Sequence, residues 1–232
     1  MKKYIFFLIF LCSLETAHAK IDGYQSIKYS GFAIHISEEA IYNHTKETKT
    51  AIALLKKKIL LIQQLKIPKK IKDQLATVPI FLAWNLGNAG AMYHPSKTWL
   101  LENGYIGEKE KSVEITNLSH FVEWTNLNQP HMITHELAHA YMDKFVSEAG
   151  KKAIKNAYEN ALKTGLYTSV EYTPGGNMVK IQQKAYALTN ELEYFAELSE
   201  AYLGRNDFYP YTKAELKKYD NVGYTLMGTI WK

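Results

Sequence analysis

The spacing of apolar positions along the chain predicts an alternation of strands and helices. Residues 24–36 alternate and carry β-branched and aromatic side chains, which is typical of a strand, with an interruption at Gly31 left open. From Thr45 to about Leu65 the apolar residues recur at helical spacing, and Pro68 ends that helix. The same reasoning predicts short strands over 78–84, 91–94 and 112–116, and short helices over 70–76 and 118–124.

The second half of the chain is predicted to be mainly helical. One helix has Pro130 in its first turn, Asn126 or Asn128 as its cap, and an end near Val146. The other expected elements are a hairpin with strands over 169–172 and 178–181, and helices over 148–163, from Thr189 or Asn190 to about 202, over 212–219 and over 221–231. This order predicts an α+β fold with an antiparallel or mixed sheet beside a helical half.

The first 19 residues have the features of a secretory signal peptide. Two lysines precede a continuous apolar run, and Ala17-His18-Ala19 matches an A-x-A cleavage site. We therefore expect cleavage after Ala19, secretion or export to the periplasm, and no stable membrane insertion of the remaining chain. Residues 20–232 are expected to form a single domain, with a sheet-containing part at 20–127 and a helical part at 128–232.

Charge and cysteine content narrow the classes of function. The formal net charge of +5 is mild, without the clustered charge of a nucleic-acid-binding protein, so no nucleic-acid partner is expected. Cys12 is the only cysteine and belongs to the expected signal peptide. The remaining chain therefore has no cysteine nucleophile and no thiolate ligand, and any metal ion must be held by His, Asp or Glu.

The motif His135-Glu136-Leu137-Ala138-His139 predicts a metal site on the helix that begins near Pro130. Its histidines are four residues apart, so both imidazoles leave one helix face and can converge on a single zinc ion. Glu136 lies about 100° around the helix from His135 and can act as general base toward a water beside the metal. His131 extends the same stripe but lies too far along the helix to share the ion, so we interpret it as a capping or supporting residue.

A catalytic zinc needs a third protein ligand and keeps one position for water. The helix that begins near Thr189 supplies Glu193 and Glu197, again four residues apart on one face. One of them can ligate the metal while the other accepts the spare N–H of a histidine, or both can face solvent. Tyr186 lies seven residues before Glu193 and is a candidate donor to the oxyanion that forms when an amide or ester is hydrolysed.

Two segments, HELAHA at 135–140 and YALTNELEYFAE at 186–197, resemble a family of zincin metallopeptidases. The family includes the catalytic domain of anthrax lethal factor and the related secreted Pro-Pro endopeptidases, and the resemblance covers about residues 130–203. It implies a zincin-like fold with a small twisted mixed sheet and an active-site helix. It also implies a secreted endopeptidase that uses one Zn²⁺ per chain on protein or peptide substrates. The implied roles are third zinc ligand for Glu193, support of a ligand for Glu197 and oxyanion stabilisation for Tyr186.

Substrate contacts are expected along an edge strand above the active helix, at 88–94 or 112–116, with Tyr93 and His94 as candidate side chains. Two other functions fit the same residues. One is a secreted module in which zinc is a structural staple without catalysis. The other is a zinc hydrolase that acts on cell-wall peptide amides. An open metal position separates the first from an enzyme, and substrate profiling separates the second from an endopeptidase.

Overall fold

The computed structural model describes residues 20–232 of the chain. The expected signal peptide at 1–19 lies outside the described residues. Over the described range the chain forms a small mixed sheet and many helices, which confirms the predicted α+β class. None of the helices in that range has both the length and the apolar character needed to cross a membrane.

The main sheet combines parallel and antiparallel strands. Over residues 20–232 its strands are β1 (Tyr24–Tyr29), β2 (Phe32–Ser37), β3 (Ile80–Leu82), β4 (Met92–His94) and β5 (Ser112–Ile115). The spatial order is β1-β2-β3-β5-β4; β2, β3 and β5 run parallel, and the two outer strands are antiparallel to their neighbours. β4 is thus an edge strand, as expected for 88–94. β5 lies between β3 and β4 inside the sheet, so the alternative prediction of an edge strand at 112–116 is wrong.

Helices occupy most of the second half, as predicted. In the part of the chain described they are α1 (Glu38–Asn43), α2 (Thr45–Gln64), α3 (Lys69–Ala76), α4 (Lys97–Glu102), α5 (Leu118–Leu127), α6 (Met132–Phe145), α7 (Glu148–Lys163), α8 (Glu191–Leu203), α9 (Lys213–Tyr219) and α10 (Asn221–Ile230). Between α7 and α8 lies a hairpin of β6 (Val170–Tyr172) and β7 (Ile181–Gln183). β7 begins later than the predicted strand at 178–181. A short 3-10 turn over Tyr186–Leu188 precedes α8.

A tight turn divides the predicted strand at 24–36 into β1 and β2. Ser30 and Gly31 adopt positive φ angles of 48° and 89°, which is the combination that a two-residue hairpin turn requires. A β-carbon on Gly31 would lie 3.2 Å from Cβ of Ala76, so the glycine also allows α3 to approach. The interruption at Gly31 is therefore a reversal of the chain.

The boundary between α5 and α6 differs from the prediction. α5 continues to Leu127, and it ends where the N–H of Asn128 donates to the carbonyl of Trp124. Neither Asn126 nor Asn128 therefore caps α6. His131 occupies the cap position of α6, and its side chain makes no capping hydrogen bond.

An apolar core fixes α6 against the sheet. The parallel register aligns Ile34, Ile80 and Val113 across β2, β3 and β5, and all three side chains are fully buried. They belong to one core cluster with Leu55 of α2 and Leu137 of α6. Because α6 also packs beside β4, this core holds the histidine-bearing helix next to the edge strand.

A buried polar cluster lies on the face of the sheet that points away from this core. Nζ of Lys109 is 2.5 Å from Oε1 of Glu114, and Nε2 of His94 is 2.7 Å from Oε2 of the same carboxylate. His94 is only 1% exposed. Successive residues of a strand point to opposite faces, so Tyr93 points toward α6 and His94 points away from it. The expectation that His94 contacts substrate is corrected by this arrangement.

We predict that Glu114→Gln lowers the free energy of unfolding by about 3 kcal/mol, because it leaves the Lys109 ammonium buried without a counter-charge. Urea unfolding followed by circular dichroism measures the change. Asp73→Asn is the control, since it removes the carboxylate of an exposed ion pair with Lys69 on α3 and is expected to leave the midpoint close to wild type. Equal midpoints for both variants would contradict the prediction.

Candidate metal centre

α6 presents two histidines on one face. His135 and His139 are one helical turn apart, and their ring centroids lie 4.8 Å from each other. Leu137 and Tyr141 leave the opposite side of the helix and are buried in the core. The core therefore fixes the rotation of α6 that turns both imidazoles toward α8.

α8 brings a carboxylate to these imidazoles. The Asn190 side chain begins α8 by accepting hydrogen bonds from the N–H groups of Leu192 and Glu193, as expected for a helix cap. Oε2 of Glu193 lies 3.0 Å from Nε2 of His135 and 3.2 Å from Nε2 of His139. The structure thus brings together the three residues that were expected to bind a metal ion.

The geometry of these three side chains fits a divalent metal ion. Their ligand atoms all lie within 4.8 Å of one another. Ligands placed 2.0–2.1 Å from a tetrahedral zinc are about 3.3 Å apart, close to the two distances measured from Glu193. His135, His139 and Glu193 can therefore hold one metal ion with little movement.

A second carboxylate contacts the other nitrogen of His135. Oε1 of Glu200 lies 2.8 Å from Nδ1, whereas Oε1 of Glu197 lies 3.7 Å from it. Glu197 instead accepts a hydrogen bond from Nδ2 of Asn206 at 3.1 Å. We expected Glu197 to receive the spare N–H of a histidine, and the structure corrects this to Glu200. Glu200 was not among the residues predicted for the site, although helical spacing places it on this face of α8.

The charges at the site depend on one another. Burial lowers the pKa of His135, but hydrogen bonds with Glu193 and Glu200 outweigh burial and hold the pKa well above its usual value. Burial raises the pKa of Glu193, and hydrogen bonds with His135 and His139 reverse the shift and bring it to about 2. Burial, aided by the nearby Glu200 carboxylate, raises the pKa of Glu197 well above its usual value. Positive charge at His135, from a proton or a metal ion, therefore stabilises the ionised Glu193.

Glu136 and Tyr186 line the same cavity, whose volume is about 620 Å³, as the three candidate ligands. Glu136 follows His135 on α6 and is nearly buried. Tyr186 is 48% exposed, and its ring centroid lies 6.3 Å from that of His135. Partial burial raises the pKa of Tyr186, and the negative charge of Glu193 adds a smaller increase. The phenol therefore remains a hydrogen-bond donor near neutral pH.

The cavity extends along α6 between β4 and α8. Near the start of α6, a β-carbon on Gly90 would lie 2.9 Å from Sδ of Met132, so the chain before β4 approaches the helix closely. Near the end of α6, the hydroxyl of Tyr93 donates to Oδ2 of Asp143 at 2.6 Å. Tyr93 therefore lines the cavity, as expected, and also attaches β4 to α6.

His131 lies outside the group of candidate ligands. Its Nδ1 is 3.3 Å from Oγ1 of Thr134. Its ring packs against the end of α8, where a β-carbon on Gly204 would lie 2.0 Å from Cε1 of His131. His131 therefore has a supporting position, since it joins the start of α6 to the end of α8.

We predict that one equivalent of Zn²⁺ raises the melting temperature of the wild-type protein, and that Glu193→Gln removes most of this increase. At a free metal concentration 100 times the dissociation constant, binding to the folded state adds about 2.7 kcal/mol to its stability. Glu191→Gln is the control, because it removes a carboxylate from the same turn of α8. Differential scanning calorimetry with and without metal measures both effects, and an unchanged zinc response in Glu193→Gln would contradict the site.

Three comparisons with known proteins found no match. The chain matches no protein-family model, no curated protein and no solved structure.

Proposed function

We propose that this protein is a zinc-dependent endopeptidase with a zincin-like active site. One observation carries the proposal. Oε2 of Glu193 lies within 3.2 Å of Nε2 of both His135 and His139, in a cavity that Glu136 and Tyr186 also line. This arrangement supports a metal-dependent hydrolase because it combines a ligand set, a general base and a hydrogen-bond donor.

His135, His139 and Glu193 would hold one Zn²⁺ per chain. When bound, zinc would supply a Lewis acid for the scissile carbonyl and would favour ionisation of a water molecule. The two neutral imidazoles and the one carboxylate would cancel only part of its charge and so preserve this acidity. The ligand set contains nitrogen and oxygen only, in agreement with the lack of cysteine after residue 12.

The two side chains beside the ligands have separate roles, proton transfer for Glu136 and charge stabilisation for Tyr186. The Glu136 carboxylate takes a proton from the attacking water and delivers it to the leaving amine nitrogen. The Tyr186 hydroxyl donates a hydrogen bond to the oxygen that becomes negative as the carbonyl is attacked. Its partial exposure allows a substrate to reach this hydroxyl from solvent.

The edge strand supports a polypeptide as the substrate. β5 pairs with one edge of β4, and in the described residues no strand pairs with the other edge. A peptide in extended conformation can add to this edge and form main-chain hydrogen bonds. The cavity beside β4 then receives alternate side chains along α6, which favours a peptide over a small compact ligand.

Zinc as a structural staple is the second candidate, and the cavity argues against it. A structural zinc has four protein ligands, whereas the group formed by His135, His139 and Glu193 has three and lies in a cavity. A hydrolase of cell-wall peptide amides would use the same residues. We propose an exported enzyme on the pattern of residues 1–19, so both protein and cell-wall substrates are accessible to it.

Digestion of a peptide library, read by mass spectrometry, tests the proposal. The wild-type protein is expected to cleave internal peptide bonds, and a chelator should abolish cleavage. Glu136→Gln is expected to bind one zinc per chain and lose about 10²–10⁴-fold in kcat, because the proton acceptor is lost. Cleavage by this variant at the wild-type rate would sink the mechanism. Zinc binding without any cleavage by the wild type would favour the structural staple.

Tyr186→Phe is predicted to lower kcat about 10²-fold while KM changes little, since the lost hydrogen bond forms mainly in the transition state. Steady-state kinetics on a peptide identified in the library measures both constants. Tyr42→Phe is the control, because Tyr42 is an exposed tyrosine of α1 that does not line the cavity. A rise in KM at constant kcat would instead assign Tyr186 to substrate binding.

A further inference from the structure

We propose that Glu200, and not Glu197, is the positioning residue that holds His135 in the form a metal ion requires. The inference rests on the proposed metal site, but it concerns which buried carboxylate orients the ligand. Oε1 of Glu200 is 2.8 Å from Nδ1 of His135, and Oε1 of Glu197 is 3.7 Å from it. Only the shorter distance is a hydrogen bond.

The two nitrogens of His135 have different tasks. A metal ion at Nε2 requires a lone pair there, so the imidazole proton must be on Nδ1. A carboxylate that accepts this proton in a hydrogen bond fixes both the tautomer and the ring orientation. Glu200 is placed to do this, since its Oε1 lies 2.8 Å from Nδ1 of the buried imidazole.

Two contacts between α6 and α8 set the position of Glu200. Glu193 and Glu200 are seven residues apart, about two helical turns, so they lie on one face of α8. Their carboxylates contact the two nitrogens of His135 from the same helix. One turn beyond Glu200, Gly204 allows the ring of His131 to pack against the backbone. This close approach fixes the distance between the helices at the level of Glu200.

Glu197 has a different task. Its Oε2 accepts from Asn206, and the Asn206 side chain in turn accepts from the backbone N–H of Asp207. Glu197 therefore anchors the segment that follows α8. Glu197 and Glu200 are 4% and 5% exposed, so the two glutamates form a matched pair with equal burial and different partners.

The test compares Glu200→Gln with Glu197→Gln in the full chain, with Zn²⁺ as the probe. Competition with a chromophoric chelator measures the dissociation constant, and circular dichroism verifies the fold. Glu200→Gln is expected to weaken zinc binding about 10- to 100-fold. Glu197→Gln is expected to change zinc binding less than about 3-fold while lowering the melting temperature. Glu200→Met removes the acceptor entirely and should weaken binding at least as much as Glu200→Gln.

Nuclear magnetic resonance supplies a readout that a purely structural role would not change. In the zinc-loaded wild type and in Glu197→Gln, the Nδ1–H signal of His135 should be protected from exchange with water. In Glu200→Met, which offers no acceptor, it should broaden or disappear. The proposal is overturned if Glu197→Gln weakens zinc binding as much as Glu200→Gln, or if the signal persists in Glu200→Met. A wild-type protein that binds no zinc would instead refute the proposed function.

Discussion

The hydrogen bonds from both nitrogens of His135 to two glutamates of α8 are the interaction on which the candidate site depends. A proton or a metal ion at the buried His135 imidazole offsets the negative charge of Glu193 beside it. Glu197 adds a third buried carboxyl group nearby. Burial of these carboxyls raises the pKa of Glu197 well above its usual value. The structure therefore brings together, at the motif, side chains that could hold a metal ion.

The remainder of the fold holds this interaction next to the cavity between β4 and α8. The sheet and its core fix the rotation of α6, so its histidines face α8 while Leu137 is buried. The segment leading into β4 is attached to α6 near both ends of the cavity, at Gly90 against Met132 and at Tyr93 with Asp143. These two contacts hold β4 beside α6.

Helical periodicity was sufficient to predict much of this site. It places His135 and His139 on one face of α6 and Glu193 in the first turn of α8. Residue type left the cap of α8 open between Thr189 and Asn190, and the structure shows that Asn190 is the cap. The sequence could not predict which carboxylate reaches Nδ1 of His135. Glu197 and Glu200 share a face of α8, and the choice depends on the distance between two helices, which is a tertiary property. The sequence pattern contains no measure of that distance.

His94 illustrates a different limit. Tyr93 and His94 were both expected to contact substrate from an edge strand, and residues 92–94 do form an edge strand. Alternation along that strand directs Tyr93 and His94 to opposite faces, so the two side chains could not both have lined the cleft. Strand alternation would have excluded one of them, but only register with β5 shows which one faces α6.

A metal ion at this site would also contribute to the stability of the fold. His139 and Glu193 are far apart in sequence and lie on helices α6 and α8, so an ion between them closes a long loop that includes α7 and the β6–β7 hairpin. Disulfides perform this task in many exported proteins, but Cys12 is the only cysteine in the sequence. Because the ion binds the folded state and not the unfolded chain, every gain in metal affinity is also a gain in stability. Residues that orient a ligand, such as Glu200, would then act on metal binding and on folding through the same hydrogen bond.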